Sequence, residues 1–207
     1  MTGGTHRKYA ILFSLVVLMV IYKMGLSRIN YYIALVLVVE FSKFGALFPD
    51  IDHEWKNVKY KNVITLILNK LIHLTGGKHR SRHTHSLDIT IISCYLLYNL
   101  SGYLYRHRYI DIINKEIVYL MCVGFISGWI SHIFSDMLTS AGVYVSVLCG
   151  RKVAFVPKGI WKLRFNTGNE WEWFNNKLIG FINFILLILA LIYPYIKLDI
   201  GWGVILI

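Results

Sequence analysis

The sequence predicts an all-α, polytopic membrane protein: one domain over residues 1–207, with about five spanning helices and a short interfacial or re-entrant helix. Three observations predict this. The chain is 56% apolar with a mean hydropathy of +0.54. Five apolar stretches, Tyr9–Leu26, Tyr31–Phe48, Leu87–Tyr105, Ile117–Phe134 and Leu178–Ile196, approach the roughly 20 residues that cross a bilayer. Most of the 22 Lys and Arg residues lie between these stretches. A soluble helical protein has no use for so many long apolar runs. Cys94, Cys122 and Cys149 show no CxxC spacing, which argues against a disulfide framework or a thiolate zinc site.

The first stretch follows Thr5-His6 and a basic pair, Arg7-Lys8. Met24–Arg28 makes a poor cleavage site, so the stretch reads as a retained helix rather than a signal peptide. In the second stretch Glu40 and Lys43, at i,i+3, are placed to neutralise each other inside the bundle. That helix should end at Pro49, which lacks an N–H and disfavours helical geometry at Phe48. Directly behind it, Asp50, Asp52 and His53 put two carboxylates and an imidazole at the mouth of a membrane helix. Ionisable groups there need a partner or a metal.

Val63, Ile64, Ile67, Leu71 and Leu74 recur at helical spacing over about thirteen residues, too few to span. His73 on this helix reads as a surface or packing residue. Gly76-Gly77 ends the helix and releases His79–Ser86. His83 and His85, at i,i+2, cannot share a helix face, so one should point in and the other out. His85 is the favoured ligand and His79 a second candidate. Arg80 or Arg82 suits an anion, because a guanidinium donates two parallel hydrogen bonds. Thr84 or Ser86 can cap the third helix.

In the fourth stretch Gly124, Gly128, His132 and Asp136 follow at steps of four and form one stripe. The glycines admit a neighbouring backbone. His132 and Asp136 read equally well as a metal chelate or as a hydrogen-bonded pair. Ser131, Ser135 and Thr139 can serve backbone or ligand-supporting roles. Thr167 and Glu170 form a capping box ahead of the last helix, and Trp161, Trp171 and Trp173 suit a membrane interface.

If all five stretches span, the N-terminus, Asp50–Ser86 and Ser135–Lys177 share one side, and 15 of the 22 Lys and Arg residues lie there. That excess marks the cytoplasmic side of a plasma (inner) membrane. Every motif with chemical character falls on the same side. The charge reads as topology and contact with membrane lipids; no nucleic-acid recognition motif accompanies it.

Thr5-His6, Pro49–His53, His79–Ser86 and Ser131–Val143, in this order, resemble the YdjM-like membrane-bound metal-dependent hydrolases. The resemblance covers most of the chain. It departs from the family's HRGxTHS by one extra residue, with Ser81 in place of glycine. It implies an inner-membrane helical protein with a hydrolase site. The Asp…His…HxxxD order is more remotely similar to zinc-dependent phospholipase C and its nuclease relatives. Their further HxxxE is missing, since Asn166 and Gly168 stand four residues before Glu170 and Glu172.

The combined expectation is a metal-dependent hydrolase acting at the cytoplasmic leaflet on a phosphoester or similar ester, with a lipid as one substrate class. Asp50, Asp52, His85, His132 and Asp136 would hold one or two divalent ions, Zn or alternatively Mn, with His6, His53 and His79 as further ligands. Asp52, His53, Arg80 and Arg82 would carry the catalytic and anion-binding roles. The alternative is a metal-binding transporter or sensor with the same ligands and no bond cleaved. Haem ligation is disfavoured, because only His132 lies within a spanning stretch.

Overall fold

The computed structural model describes residues 2–25, 27, 29–59, 61–155, 168 and 170–194. Their order is α1 (Gly3–Lys23), α2 (Tyr31–Gly45), two single-turn 3-10 helices, α3 (Val63–Leu74), α4 (Leu87–Arg106), α5 (Ile112–Met137), a minimal hairpin β1 (Val143–Tyr144) and β2 (Lys152–Val153), and α6 (Glu170–Ile192). The two strands pair antiparallel, Val143 opposite Val153. The all-α polytopic class holds.

Among the described residues, four segments are long and apolar enough to cross a membrane: α1, Tyr31–Asp52, α5 and α6. The third expected span, Leu87–Tyr105, forms α4, a helix of 20 residues outside that group. Asp88, Thr90, Ser93, Asn99 and Ser101 dilute its hydropathy. It nevertheless runs antiparallel along α5, starting near the hairpin that follows α5 and ending five residues before α5 begins.

Two boundaries differ from expectation. Helix α1 begins at Gly3, not Tyr9, so Thr5 and His6 lie in its first turns rather than ahead of it. Helix α5 extends to Met137 and carries His132 and Asp136 in its last turns. The expected capping box on Thr167 and the role of Trp161 lie outside the described residues.

Helix α5 is the central post, packed by α1, α2 and α4. Its glycines set the closest approach. A Cβ on Gly128 would overlap the Ser42 carbonyl, one on Gly124 would meet Val38, and one on Gly45 of α2 would overlap the Phe125 carbonyl. Only glycine allows backbones this near. Leu15, Leu18, Val38 and Leu120 fill the core between α1, α2 and α5. Trp129, Ile133 and Val143 form a second cluster beneath the hairpin. Glu40 and Lys43 do pair, at 2.6 Å, but on the outside of the bundle.

Helix α3 is inside out. A capping box of Asn62 and Thr65 starts it. Its polar residues face the protein: buried Asn69 donates to the carbonyls of Ile51 and His53, and Thr65 is buried. Its apolar side, with Val63 71%, Ile64 69% and Leu74 82% exposed, faces out. A twelve-residue helix with that polarity suits the boundary between headgroups and acyl chains.

Candidate metal centre

Four chain segments meet at one end of the bundle: the first turns of α1, the 3-10 turn Pro49–Asp52, the irregular run His79–Ser86, and the last turns of α5. They bring together His6, Asp52, His85, His132 and Asp136, each at most 1% exposed. So many buried ionisable groups in one place require compensation.

The hydrogen bonds specify how the imidazoles are turned. His132 Nδ1 lies 2.6 Å from the Ala46 carbonyl, which can only accept, so Nδ1 donates there and Nε2 is turned into the centre. The Thr84 hydroxyl donates to Asp52 Oδ2, and its oxygen is therefore left to accept from His85 Nδ1 at 2.9 Å. The Ser135 hydroxyl donates to the His132 carbonyl at 2.9 Å and accepts from His6 Nδ1 at 2.6 Å. All three rings thus turn Nε2 inward. Anchoring Nδ1 on an oxygen in this way is how proteins orient metal-binding histidines.

The inward atoms converge. His85 Nε2 and His132 Nε2 are 3.1 Å apart. Asp136 Oδ2 lies 3.5 Å from His132 Nε2 and 3.6 Å from His85 Nε2. Asp50 Oδ1 lies 3.9 Å and 3.8 Å from the same two nitrogens. Ligands on a tetrahedral ion with bonds of about 2.0–2.1 Å are about 3.4 Å apart. Two groups qualify by proximity: His6, His132 and Asp136, and Asp50, His85 and His132. In the first, His6 Nε2 lies 3.6 Å from Asp136 Oδ1, and the His6 and His132 rings stack at 3.9 Å. A donor set of imidazoles and carboxylates at these separations could hold a metal ion.

The other expected site residues surround this centre. Asp52 belongs to neither group: its Oδ2 accepts from the Ser81 backbone N–H at 3.0 Å, the Ser81 hydroxyl and Thr84. It holds Thr84 and, through it, His85. His79 sits at the rim, 37% exposed, with Nδ1 3.4 Å from Asp52 and 3.9 Å from Asp50. His53 stacks on His79 at 3.6 Å. Burial first, and the neighbouring His79 second, hold the His53 imidazole below its ordinary pKa. Of the two arginines, Arg80 reaches the centre, donating to Asp136 Oδ1 at 3.2 Å from a backbone with φ of 59°. Arg82 turns away, its guanidinium 5.6 Å from the Tyr144 ring. His85 is buried and His83 exposed, as expected, although the run that carries them is irregular rather than helical.

Several supporting groups have no motif of their own. Thr84 and Ser81 serve Asp52 instead of capping α4, and Ser86 holds the N-cap position without a side-chain cap. The Tyr144 N–H donates to the His85 carbonyl at 2.9 Å, so β1 pins that backbone. Glu172 on α6 is 3% exposed and accepts from the Thr2 N–H, the Thr5 hydroxyl and the Gly168 N–H. It caps α1 from another helix and so fixes the turn that carries His6. No curated protein and no solved structure matches the chain significantly. The model of one family, the YdjM inner membrane proteins, matches residues 1–203, and the chain belongs to that family.

Proposed function

We propose that this membrane protein is a metal-dependent hydrolase whose centre acts on a phosphoester or similar ester at the cytoplasmic face. One observation carries the reading: three buried imidazoles, each anchored on an oxygen through Nδ1, turn Nε2 towards one another and towards two carboxylates. Lone pairs and negative charge held this close repel unless a cation lies among them. His132 stands in both candidate groups, and its Nε2 has one lone pair to give. The arrangement therefore favours one ion at a time, held by His132 with Asp50 and His85, or with His6 and Asp136.

Such an ion supplies Lewis acidity, acidifying water and polarising an ester oxygen. The chain supplies the remaining chemistry. Asp52 and Thr84 hold His85 against rotation. The imidazoles of His79 and His53, at the rim, are placed to take or return a proton. Arg80 lies where an anionic group would enter, and its planar fork suits a phosphoryl oxygen. The positive-inside excess supports a cytoplasmic site. Cys149, exposed in the hairpin near the centre, reports that orientation. An impermeant maleimide should spare it in intact cells and label it in inverted vesicles.

The deciding experiment is metal analysis of the detergent-purified chain, together with hydrolysis of a chromogenic phosphoester before and after chelation. About one Zn or Mn per chain is expected, with activity that disappears on chelation and returns with metal. Metal should dissociate on acidification, as protons compete for the imidazole lone pairs that hold it. Protein that takes up no divalent ion and melts identically with chelator would sink the proposal. A tightly held ion without cleavage of any ester would leave the transporter or sensor reading in its place.

A further inference from the structure

Two cavities adjoin the centre and share one wall. The first, about 560 Å³, is polar: Asp50, His53 and His79 line one side, and Lys56, Lys59 and Lys61 line the other. The second, about 490 Å³, is apolar and lies between α2, α3 and α5, with Phe41, Phe44, Phe48, Ile64 and Phe125 among its walls. Val58, 7% exposed, lines both. A ligand that fills the pair must be anionic at one end and apolar at the other.

The surroundings state where such a ligand comes from. Phe44 on α2 is 42% exposed and Ile64 on α3 is 69% exposed, so the apolar cavity opens towards the outward, apolar face of α3. That face requires lipid. The polar cavity lies on the other side of the Lys56–Lys61 run, where three ammonium groups outnumber the Asp50 carboxylate. Lys56 shares its charge with Glu54 at 2.8 Å, and Lys61 leans over Trp55 and the Lys56 carbonyl, while Lys59 is exposed beside Gly3. Lysines of this kind hold phosphate as point charges.

We propose that the two cavities together bind a phospholipid, its phosphate among the lysines against the Asp50–His79 rim and one acyl chain beyond Val58. This rests on the hydrolase reading only for what happens next; the binding claim stands on the cavities. The lipid enters sideways from the leaflet, its tail passing between α2 and α3 while the headgroup stays at the level of the metal ligands. Only one side of the phosphate then faces the centre. A water-soluble phosphoester would fill the polar cavity and leave the apolar one unused.

The test uses the full, metal-loaded chain in a micelle of neutral detergent, titrated with dioctanoyl phosphatidic acid, dioctanoyl phosphatidylcholine and glycerol 3-phosphate. Binding is read by native mass spectrometry and thermal shift. Phosphatidic acid should bind at least tenfold tighter than either other probe. Ile64→Trp, on the exposed wall, and Val58→Trp, at the shared wall, should each weaken phosphatidic acid at least tenfold and leave glycerol 3-phosphate unchanged. Lys59→Glu should weaken both phosphates. Metal content, retained in each variant, shows that the fold is intact, and Ile64→Trp covers the case where Val58→Trp fails to fold. Equal affinity for glycerol 3-phosphate and phosphatidic acid, or no effect of either tryptophan, overturns the proposal. Tail-dependent binding without cleavage overturns the hydrolase reading alone. Cleavage of soluble and lipid phosphates alike, with both tryptophan variants silent, overturns this inference alone.

Discussion

The two halves of the centre are built differently. The inner half, His6, His132 and Asp136, stands on α1 and α5, at most 1% exposed. The outer half, Asp50, His79 and Arg80, stands on a 3-10 turn and an irregular run, and is 20%, 37% and 21% exposed. Regular helices fix the inner donors through a glycine-lined seam, where α2 and α5 meet backbone to backbone. The outer donors depend on side-chain hydrogen bonds among Asp52, Ser81 and Thr84. A buried floor with an exposed mouth is what the proposed hydrolase would need, an ion held permanently and a substrate briefly. If that division is right, inner substitutions cost metal and stability together, whereas substitutions of His79 and Arg80 cost turnover.

The largest effect should follow His132→Ala. It removes the donor common to both ligand groups and leaves Asp136 buried with less compensation. Breaking a buried charged pair costs about 3–5 kcal/mol. Metal content should fall to background and the melting temperature should drop. His79→Ala, at the rim, should keep its metal. Equal metal loss in both variants, measured by elemental analysis, would erase the distinction between floor and mouth.

Gly128→Ala tests the seam without touching a ligand. Its new Cβ would overlap the Ser42 carbonyl, a backbone atom that cannot rotate away. Overpacking typically costs about 1–3 kcal/mol. Because Ala46, whose carbonyl orients His132, lies one turn beyond Ser42, metal affinity should fall as well. A variant as stable as the parent would show that α2 slides freely and that the seam does not register the site.

How much of this was legible depends on whether a residue's partner leaves a trace in the sequence. The stripe of Gly124, Gly128, His132 and Asp136 was legible because a helix converts steps of four into one face. His85 lies inside and His83 outside, as expected, but in an irregular run, so helical spacing is not what separates them. Helix α1 started early because its first turn is capped by Glu172, 167 residues away from Thr5, and no local pattern reports that. The Ala46 carbonyl is silent for a stronger reason: any residue would supply one. Thr84 and Ser86 gave a plausible capping signal, yet Thr84 was recruited by Asp52, a charged acceptor that outbids a helix end. The third apolar stretch formed its helix, but its apolarity falls short because polar side chains line part of it. Arg82 and Arg80 were equivalent on paper, and only the positive φ at Arg80 separates their directions.

Thr84→Val sits between the halves and should have an intermediate effect. The change keeps the shape and removes the hydroxyl that joins Asp52 to His85. A hydrogen bond to a charged group contributes about 1.5–3 kcal/mol. Losing a group that orients a ligand costs about 10–100-fold in metal affinity. Competitive titration against a fluorescent chelator measures it. Unaltered affinity would mean that His85 is held by packing alone and that Asp52 has some other role.

The smallest effect belongs to the arginines and separates them most finely. Arg80→Lys keeps the positive charge near Asp136 but replaces a planar fork by a single ammonium. If Arg80 clamps an anionic group, KM should rise about tenfold, the equivalent of about 1.4 kcal/mol, while metal content and melting temperature stay put. Arg82 points at the Tyr144 ring, so Arg82→Lys should leave KM and kcat within error and soften only the hairpin. The pair is informative because both changes preserve the positive-inside count, which removes topology as an explanation. A rise in KM for Arg82→Lys and none for Arg80→Lys would reverse the assignment of the mouth. Metal loss in Arg80→Lys would place Arg80 in the floor, as a structural counter-charge to Asp136, and the mouth would then begin at His79.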